Sequence, residues 1–170
     1  MKIELLPIKD CINKKLYDMY QDIPNKEIGS SNEIYGKTYN EFLSICENYI
    51  KEELIINKII NTTTKRFILF IDNNPVGEVG IRTTMNDYWV NKGSQIFYKI
   101  RLSERNKGYG NILLKETIKE AKKLGFNKIR INCNDNNIAS KKIIENNGGI
   151  IDIKSYKGNE GISSSYIINK

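Results

Sequence analysis

The 170-residue sequence predicts an α/β domain: a mixed sheet of about seven strands flanked by about four helices. Three observations predict it. Residues 96–133 read as strand, glycine-spaced basic turn, helix and strand, the connection of parallel neighbours in one sheet. Two further strand pairs, within 66–82 and 150–168, are each joined by a turn-forming cluster and therefore predict antiparallel hairpins. The length suits one domain with its own core, 1–170, and no linker, repeat or low-complexity tail divides it.

Residues 2–6 are the first strand candidate, followed by a helix over about 10–20 that Asp10 would cap. Residues 21–37, with Pro24, Gly29, Ser30, Ser31 and Gly36, read as a loop. A second helix spans about 38–57, with Phe42, Ile45, Cys46 and Tyr49 as its apolar stripe. Strands at 66–71 and 76–82 flank the turn Asp72-Asn73-Asn74-Pro75, and 83–93 form a loop. The strand 96–102 leads through a basic turn into a helix over 112–124. Leu114, Ile118, Ala121 and Leu124 line one face of that helix, lysines and glutamates cover the other, and Gly125 ends it. A strand over 126–133 meets the Asn/Asp cluster 134–137, suited to capping a helix that stops at Gly148-Gly149. Strands 150–156 and 162–168 close the chain.

The basic turn is Arg105-Asn106-Lys107-Gly108-Tyr109-Gly110. Alternate glycines let backbone amides converge on an anion, the following helix adds the positive end of its dipole, and Arg105 and Lys107 add full charges. Glycines between a strand and a helix are also ordinary turn punctuation; the flanking strand and amphipathic helix favour the phosphate cradle. The charge distribution agrees. The chain carries 27 Lys and Arg against 20 acids, and the segment 99–142 holds twelve against four, so an excess of eight is concentrated around the turn.

With no histidine anywhere, Ser-His-Asp and Cys-His catalysis, histidine acid/base chemistry and His-containing zinc sites are excluded. Cys11, Cys46 and Cys133 are scattered without metal-ligand spacing, so no metal is expected and a reducing compartment is. Neither a signal peptide nor a membrane span is recognisable, which makes the cytoplasm the expected location.

Taken together, these motifs resemble the GNAT superfamily of acyl-coenzyme A-dependent N-acyltransferases. The family's pyrophosphate motif, Arg/Gln-x-x-Gly-x-Gly/Ala, is met by Arg105, Gly108 and Gly110. Its later motif, an Asn and a small residue opening an apolar helix that closes on Gly, is met by Asn137, Ala139, Ser140, Ile143, Ile144 and Gly148. More narrowly, the run from Tyr98 to Gly110 together with Cys133-x-x-x-Asn137-x-x-Ser140 resembles a group of bacterial GNAT proteins described as predicted acetyltransferases.

The resemblance implies a single GNAT fold whose fourth and fifth strands are parallel and splay apart. It implies acetyl-CoA as cosubstrate. Arg105, Asn106, Lys107, Gly108, Tyr109, Gly110 and Asn111 would bind the pyrophosphate, the backbone at Ile100, Arg101 and Leu102 would pair with the pantetheine arm, and Asn137 and Ser140 would hold that arm from across the cleft. Asn137 reads equally as a plain helix cap. The implied reaction is direct attack of a primary amine, on a small molecule or a peptide, on the thioester carbonyl in a ternary complex. Many family members use a Tyr on the last helix to protonate the thiolate, and Ile144 stands there. Glu78, between Gly77 and Val79 on the third strand, and Tyr98 on the fourth are the catalytic candidates; Tyr88 and Trp89 are candidates for an acceptor wall, and residues 21–37 should border the same pocket. Two other readings compete: a GNAT-like protein that binds acyl-CoA without turnover, and a basic nucleic-acid binder, for which no recognition motif is present. No membrane partner is expected, and a homodimer through strand 162–168 is possible in this fold.

Overall fold

The computed structural model describes residues 1–56, 62–84, 86–87, 94–158 and 161–169. Among these the chain forms β1 (Ile3–Pro7), α1 (Lys14–Gln21), β2 (Lys26–Glu27), β3 (Ser30–Ser31), α2 (Tyr39–Lys51), β4 (Thr64–Ile71), β5 (Asn74–Arg82), β6 (Ile96–Ile100), α3 (Tyr109–Lys123), β7 (Lys128–Asn134), α4 (Ile138–Asn146), β8 (Ile150–Gly158) and β9 (Gly161–Asn169). One sheet has the order β1-β4-β5-β6, a second has β7-β9-β8, and β2 and β3 form a small ladder of their own. Every pairing within these sheets is antiparallel.

Strict alternation along β4 explains why this sheet is covered on both faces. Phe67, Leu69 and Ile71 point into a cluster with Leu113, Leu114, Ile118 and Ala121 of α3, whereas Ile68 and Phe70 meet Leu16, Met19 and Tyr20 of α1 and Phe42 and Cys46 of α2. Each such side chain, fully buried, contributes about 1.5–3 kcal/mol. The first cluster continues into Ile129, Ile131, Tyr166 and Ile168, so one core joins the two sheets.

Several boundaries differ from the sequence reading for identifiable reasons. Asp10 closes a single 3-10 turn, Ile8–Asp10, and the cap of α1 is Asn13, whose side chain accepts the Leu16 N–H. Thr38 and Glu41 form a capping box that fixes the start of α2, which stops at Lys51. The β4–β5 turn is only Asp72-Asn73, both with positive φ (48° and 62°), the geometry that suits the right-handed twist of a two-residue hairpin. A second 3-10 turn, Leu102–Glu104, shortens β6. The helix α3 begins at Tyr109, three residues before its apolar face starts, because Gly108 in the left-handed region (φ 81°) ends the turn there. The segment read as a loop, 21–37, contains the β2–β3 hairpin.

Gly80 lies opposite Phe97 across β5 and β6, and a Cβ at residue 80 would collide with the Phe97 ring. That ring sits beneath the guanidinium groups of both Arg66 and Arg82, 5.1 Å from each. Gly80→Ala should therefore destabilise by about 1–3 kcal/mol through overpacking, measured by urea unfolding, with little change in m.

Candidate functional site

The strands β6 and β7 begin together and then part. The Gln95 N–H donates to the Arg130 carbonyl (2.8 Å) and the Asn132 N–H to Ser94 Oγ (3.1 Å), the stagger of a parallel pair, yet beyond these bonds the two strands belong to different sheets. A cavity of about 590 Å³ opens in the gap. Its walls are Phe97, Tyr98 and Ile100 of β6, Cys133 of β7, and Asn137 and Ser140 at the start of α4, with Arg105 at one end and the hairpin residues Glu27, Ile28, Gly29 and Ser30 over it.

Register determines what β6 presents there. Arg101 N–H pairs with the Val76 carbonyl (3.0 Å) and Arg82 N–H with the Gln95 carbonyl (2.9 Å). These bonds set the odd-numbered residues of β6 against β5, so Tyr98 and Ile100 turn their backbone groups to the other edge, into the cleft. The carbonyl of Ile100 accepts from Arg105 Nε at 3.0 Å. Arg101 and Leu102, expected beside the pantetheine arm, instead bind the end of α1. The Leu102 N–H donates to the Asp22 carbonyl, and Arg101 Nε and Ser103 Oγ both reach Asp22 Oδ2 (2.7 and 2.6 Å). Against the desolvation that would raise it, those bonds from Ser103 and Arg101 hold the Asp22 carboxyl below its ordinary pKa.

In the turn that follows Arg105, Asn106 and Gly108 both take positive φ (61° and 81°), and α3 starts from Gly108 with no side-chain cap and no acid in its first turn; of the predicted pyrophosphate residues 105–111, Arg105 alone is among those lining the cavity. The first amides of a helix find no partner within it, so the uncapped start of α3, in the turn that follows Arg105, is a setting for an anion. The two glycines of the motif do different work. Gly108 supplies the left-handed turn. Gly110 supplies closeness: a Cβ on it would lie 2.5 Å from Ile143 Cδ1, so the Ile143 side chain of α4 packs directly on the α3 backbone there. Lys107 is ion-paired with Glu104 (2.8 Å), which raises its pKa, and Asn111 Oδ1 accepts from Asn146 of α4 (3.3 Å).

Across the cleft, Asn137 is both a cap and a donor. Its Oδ1 accepts the Ser140 N–H (3.1 Å), while its Nδ2 donates to the Ile28 carbonyl (3.3 Å). The Tyr98 hydroxyl spans from β6 to α4, 2.7 Å from Ser140 Oγ. Burial pushes the Tyr98 pKa well up, only partly offset by Ser140, so the phenol is protonated at neutral pH. Burial likewise raises the Cys133 thiol. Ile144 is fully buried against Gly149, away from the cavity lining.

Among the described residues Glu78 is the most buried charge, with no exposed surface. Its carboxylate is held by Arg66 (2.9 Å) and Lys99 (3.0 Å), and Arg66 also reaches Glu52 (3.3 Å). It is not among the residues lining the cavity. Desolvation would raise its pKa, but the Lys99 and Arg66 charges outweigh it and leave the carboxyl below its ordinary value. Tyr88 and Trp89 lie outside the described residues. What the sequence reading missed is the hairpin and the acids that tie its surroundings together, Asp22 and Glu27; both fell in the segment read as loop.

Among the described residues no group of three or more His, Cys, Asp or Glu could hold a metal ion, and no helix is long and apolar enough to cross a membrane. The acetyltransferase (GNAT) family profile matches residues 30–148. No curated protein matches significantly. Among solved structures, a GNAT-family acetyltransferase from Streptococcus pneumoniae superposes with a TM-score of 0.64 at 15% identity, covering 99% of each chain. RimL, a ribosomal L7/L12 α-N-protein acetyltransferase in complex with coenzyme A, gives 0.70 at 15% identity over 99% of this chain and 94% of its own. The Campylobacter jejuni N-acetyltransferase PseH in complex with acetyl coenzyme A gives 0.61 at 16% identity, covering 99% of each chain.

Replacing Glu78 by Gln leaves Lys99 and Arg66 buried without a counter-charge, and should cost about 3–5 kcal/mol at pH 7 in urea unfolding. The sign with pH follows from the lowered carboxyl. Its stabilisation is fully present above the ordinary value of 4.5 and is lost as pH falls through the folded-state value, so the gap between wild type and Glu78→Gln should narrow on acidification below about 4.5.

Proposed function

The chain belongs to the acetyltransferase (GNAT) family, and on that premise we propose that it transfers an acetyl group from acetyl-CoA to a primary amine by direct attack in a ternary complex. The observation that carries this is the cleft where β6 and β7 part, which runs from inward-turned backbone groups at Tyr98 and Ile100 to Arg105 beside the uncapped start of α3. The cleft's residues fit the cosubstrate. The α3 amides and Arg105 would hold the pyrophosphate, the β6 edge would pair with the pantetheine amides, and Asn137 Nδ2 would donate to them from the far side.

In the reaction, the amine nitrogen forms a bond to the thioester carbonyl carbon, and the carbon–sulfur bond then breaks. The Tyr98 N–H, turned into the cleft, would stabilise the oxyanion. The departing thiolate would take the Tyr98 hydroxyl proton, with Ser140 Oγ 2.7 Å away to restore it. This gives Tyr98 on β6 the role that a last-helix Tyr has in other members, where Ile144 stands here. Glu78, with two cations on its carboxylate and no face on the cavity, fits a positioning role through Lys99 rather than that of the base; the amine proton would leave through water.

Acetyl-CoA at about 100 times its dissociation constant should raise stability by roughly 2.7 kcal/mol, seen as an increase in Tm. Absence of any shift at millimolar ligand would overturn the cosubstrate assignment. With an amine panel, coenzyme A release should be detectable; tight binding without release would favour a non-catalytic acyl-CoA binder. Tyr98→Phe should lower kcat by about a hundredfold while leaving the KM for acetyl-CoA near wild type. Arg105→Gln should instead weaken acetyl-CoA binding about tenfold, or ~1.4 kcal/mol.

A further inference from the structure

The β2–β3 hairpin lies across the cleft, and its tip is tied to both banks by the very side chains assigned to the cosubstrate. On one bank Arg105 Nη2 holds Glu27 Oε1 at 2.8 Å; on the other Asn137 Nδ2 holds the Ile28 carbonyl at 3.3 Å. We propose that the hairpin is a strap latched by Glu27, and that the pyrophosphate of the acyl donor opens it by exchanging with Glu27 on Arg105. The proposal rests on the acetyl-CoA reading and adds a gate to it.

The two ends of the strap are built differently. Its base is fixed by buried bonds. Asn32 Nδ2 donates to the carbonyls of Tyr20 and Ile23 (both 2.7 Å), and the buried Lys99 ammonium, already paired with Glu78, donates to the Ser31 carbonyl at 2.8 Å. Its tip is tied through side chains of the two banks, Arg105 to Glu27 and Asn137 to Ile28, on strands two residues long, and Ile28 is 55% exposed. The latch itself is a partly exposed ion pair, which solvent and salt weaken. A strap with a buried base and a tip held by a solvent-accessible ion pair would swing on that base when the pair is exchanged.

Charge makes the exchange selective. Glu27 is the single acid among the residues lining the cavity, against Arg82, Lys99 and Arg105. Arg105 is oriented by its Nε bond to the Ile100 carbonyl and gives Nη2 to Glu27, so a phosphate seeking that nitrogen competes with the carboxylate directly. A thioester without phosphates brings no anion to make the exchange. In this way the latch favours coenzyme A thioesters over plain pantetheine thioesters.

The test compares wild type with Glu27→Ala, each as the full chain, using acetyl-CoA, acetyl-pantetheine and backbone hydrogen exchange of residues 24–32. Removing the latch should speed exchange of the strap amides several-fold without ligand, tighten acetyl-CoA about tenfold, and tighten acetyl-pantetheine as well, since the strap then opens without an anion. Tightening of acetyl-CoA alone with unchanged exchange would make Glu27 only a repelling charge and overturn the latch. Weaker binding by the variant would also overturn it, by showing that the closed strap forms part of the bound site. If neither protein binds acetyl-CoA, the cosubstrate reading fails, while the exchange comparison still decides whether Glu27 holds the strap.

Discussion

Backbone amides and carbonyls that lose their strand partner must find another, and this requirement organises everything around the parting of β6 and β7. Side chains take over the ladder one group at a time. Ser94 accepts the Asn132 N–H and donates to the Ile96 carbonyl, and Arg105 caps the Ile100 carbonyl. The Tyr98–Ser140 pair bridges the open part of the gap without filling it. Between these substitutions remain the Tyr98 backbone groups, facing a cavity in which an amide-bearing arm would satisfy them.

Charge burial supports the same region from beneath. Glu78 joins β4 through Arg66 and β6 through Lys99; Arg66 reaches Glu52 at the end of α2, and Lys99 reaches the β3 backbone. The guanidinium of Arg66 also stacks 3.7 Å from the Tyr49 ring. A single carboxylate thus ties β4, β6, the end of α2 and β3 together on the face of the sheet that Ile68 and Phe70 also occupy, and its two cations are what allow it to remain ionised where desolvation alone would neutralise it.

The main strands, the flanking helices and the glycine turn were legible because their signals are local. Gly108 marks a left-handed residue, Asn137 a helix cap, and the alternation of β4 a strand buried on both faces. Gly110 was legible as a glycine but not for its reason, since its contact with Ile143 joins residues far apart in sequence. Glu78 stood out as a charge between glycines, and nothing in its neighbours announced that Arg66 and Lys99 would neutralise it. The strap was invisible because strands of two polar residues have no period to read. Glu27 and Asp22 gained meaning only when folding brought them to Arg105 and Arg101.

The close packing at Gly110 has a consequence for how such a protein can change over generations. Because Ile143 of α4 packs on the α3 backbone at Gly110, the helix proposed to face the pyrophosphate and the helix that carries Asn137 and Ser140 are geared together, and drift at either one disturbs both. The opposite wall is a short hairpin with an exposed Ile28 near its tip. Selection can therefore rewrite the roof of the cleft, and with it what is admitted, while the donor machinery is inherited intact.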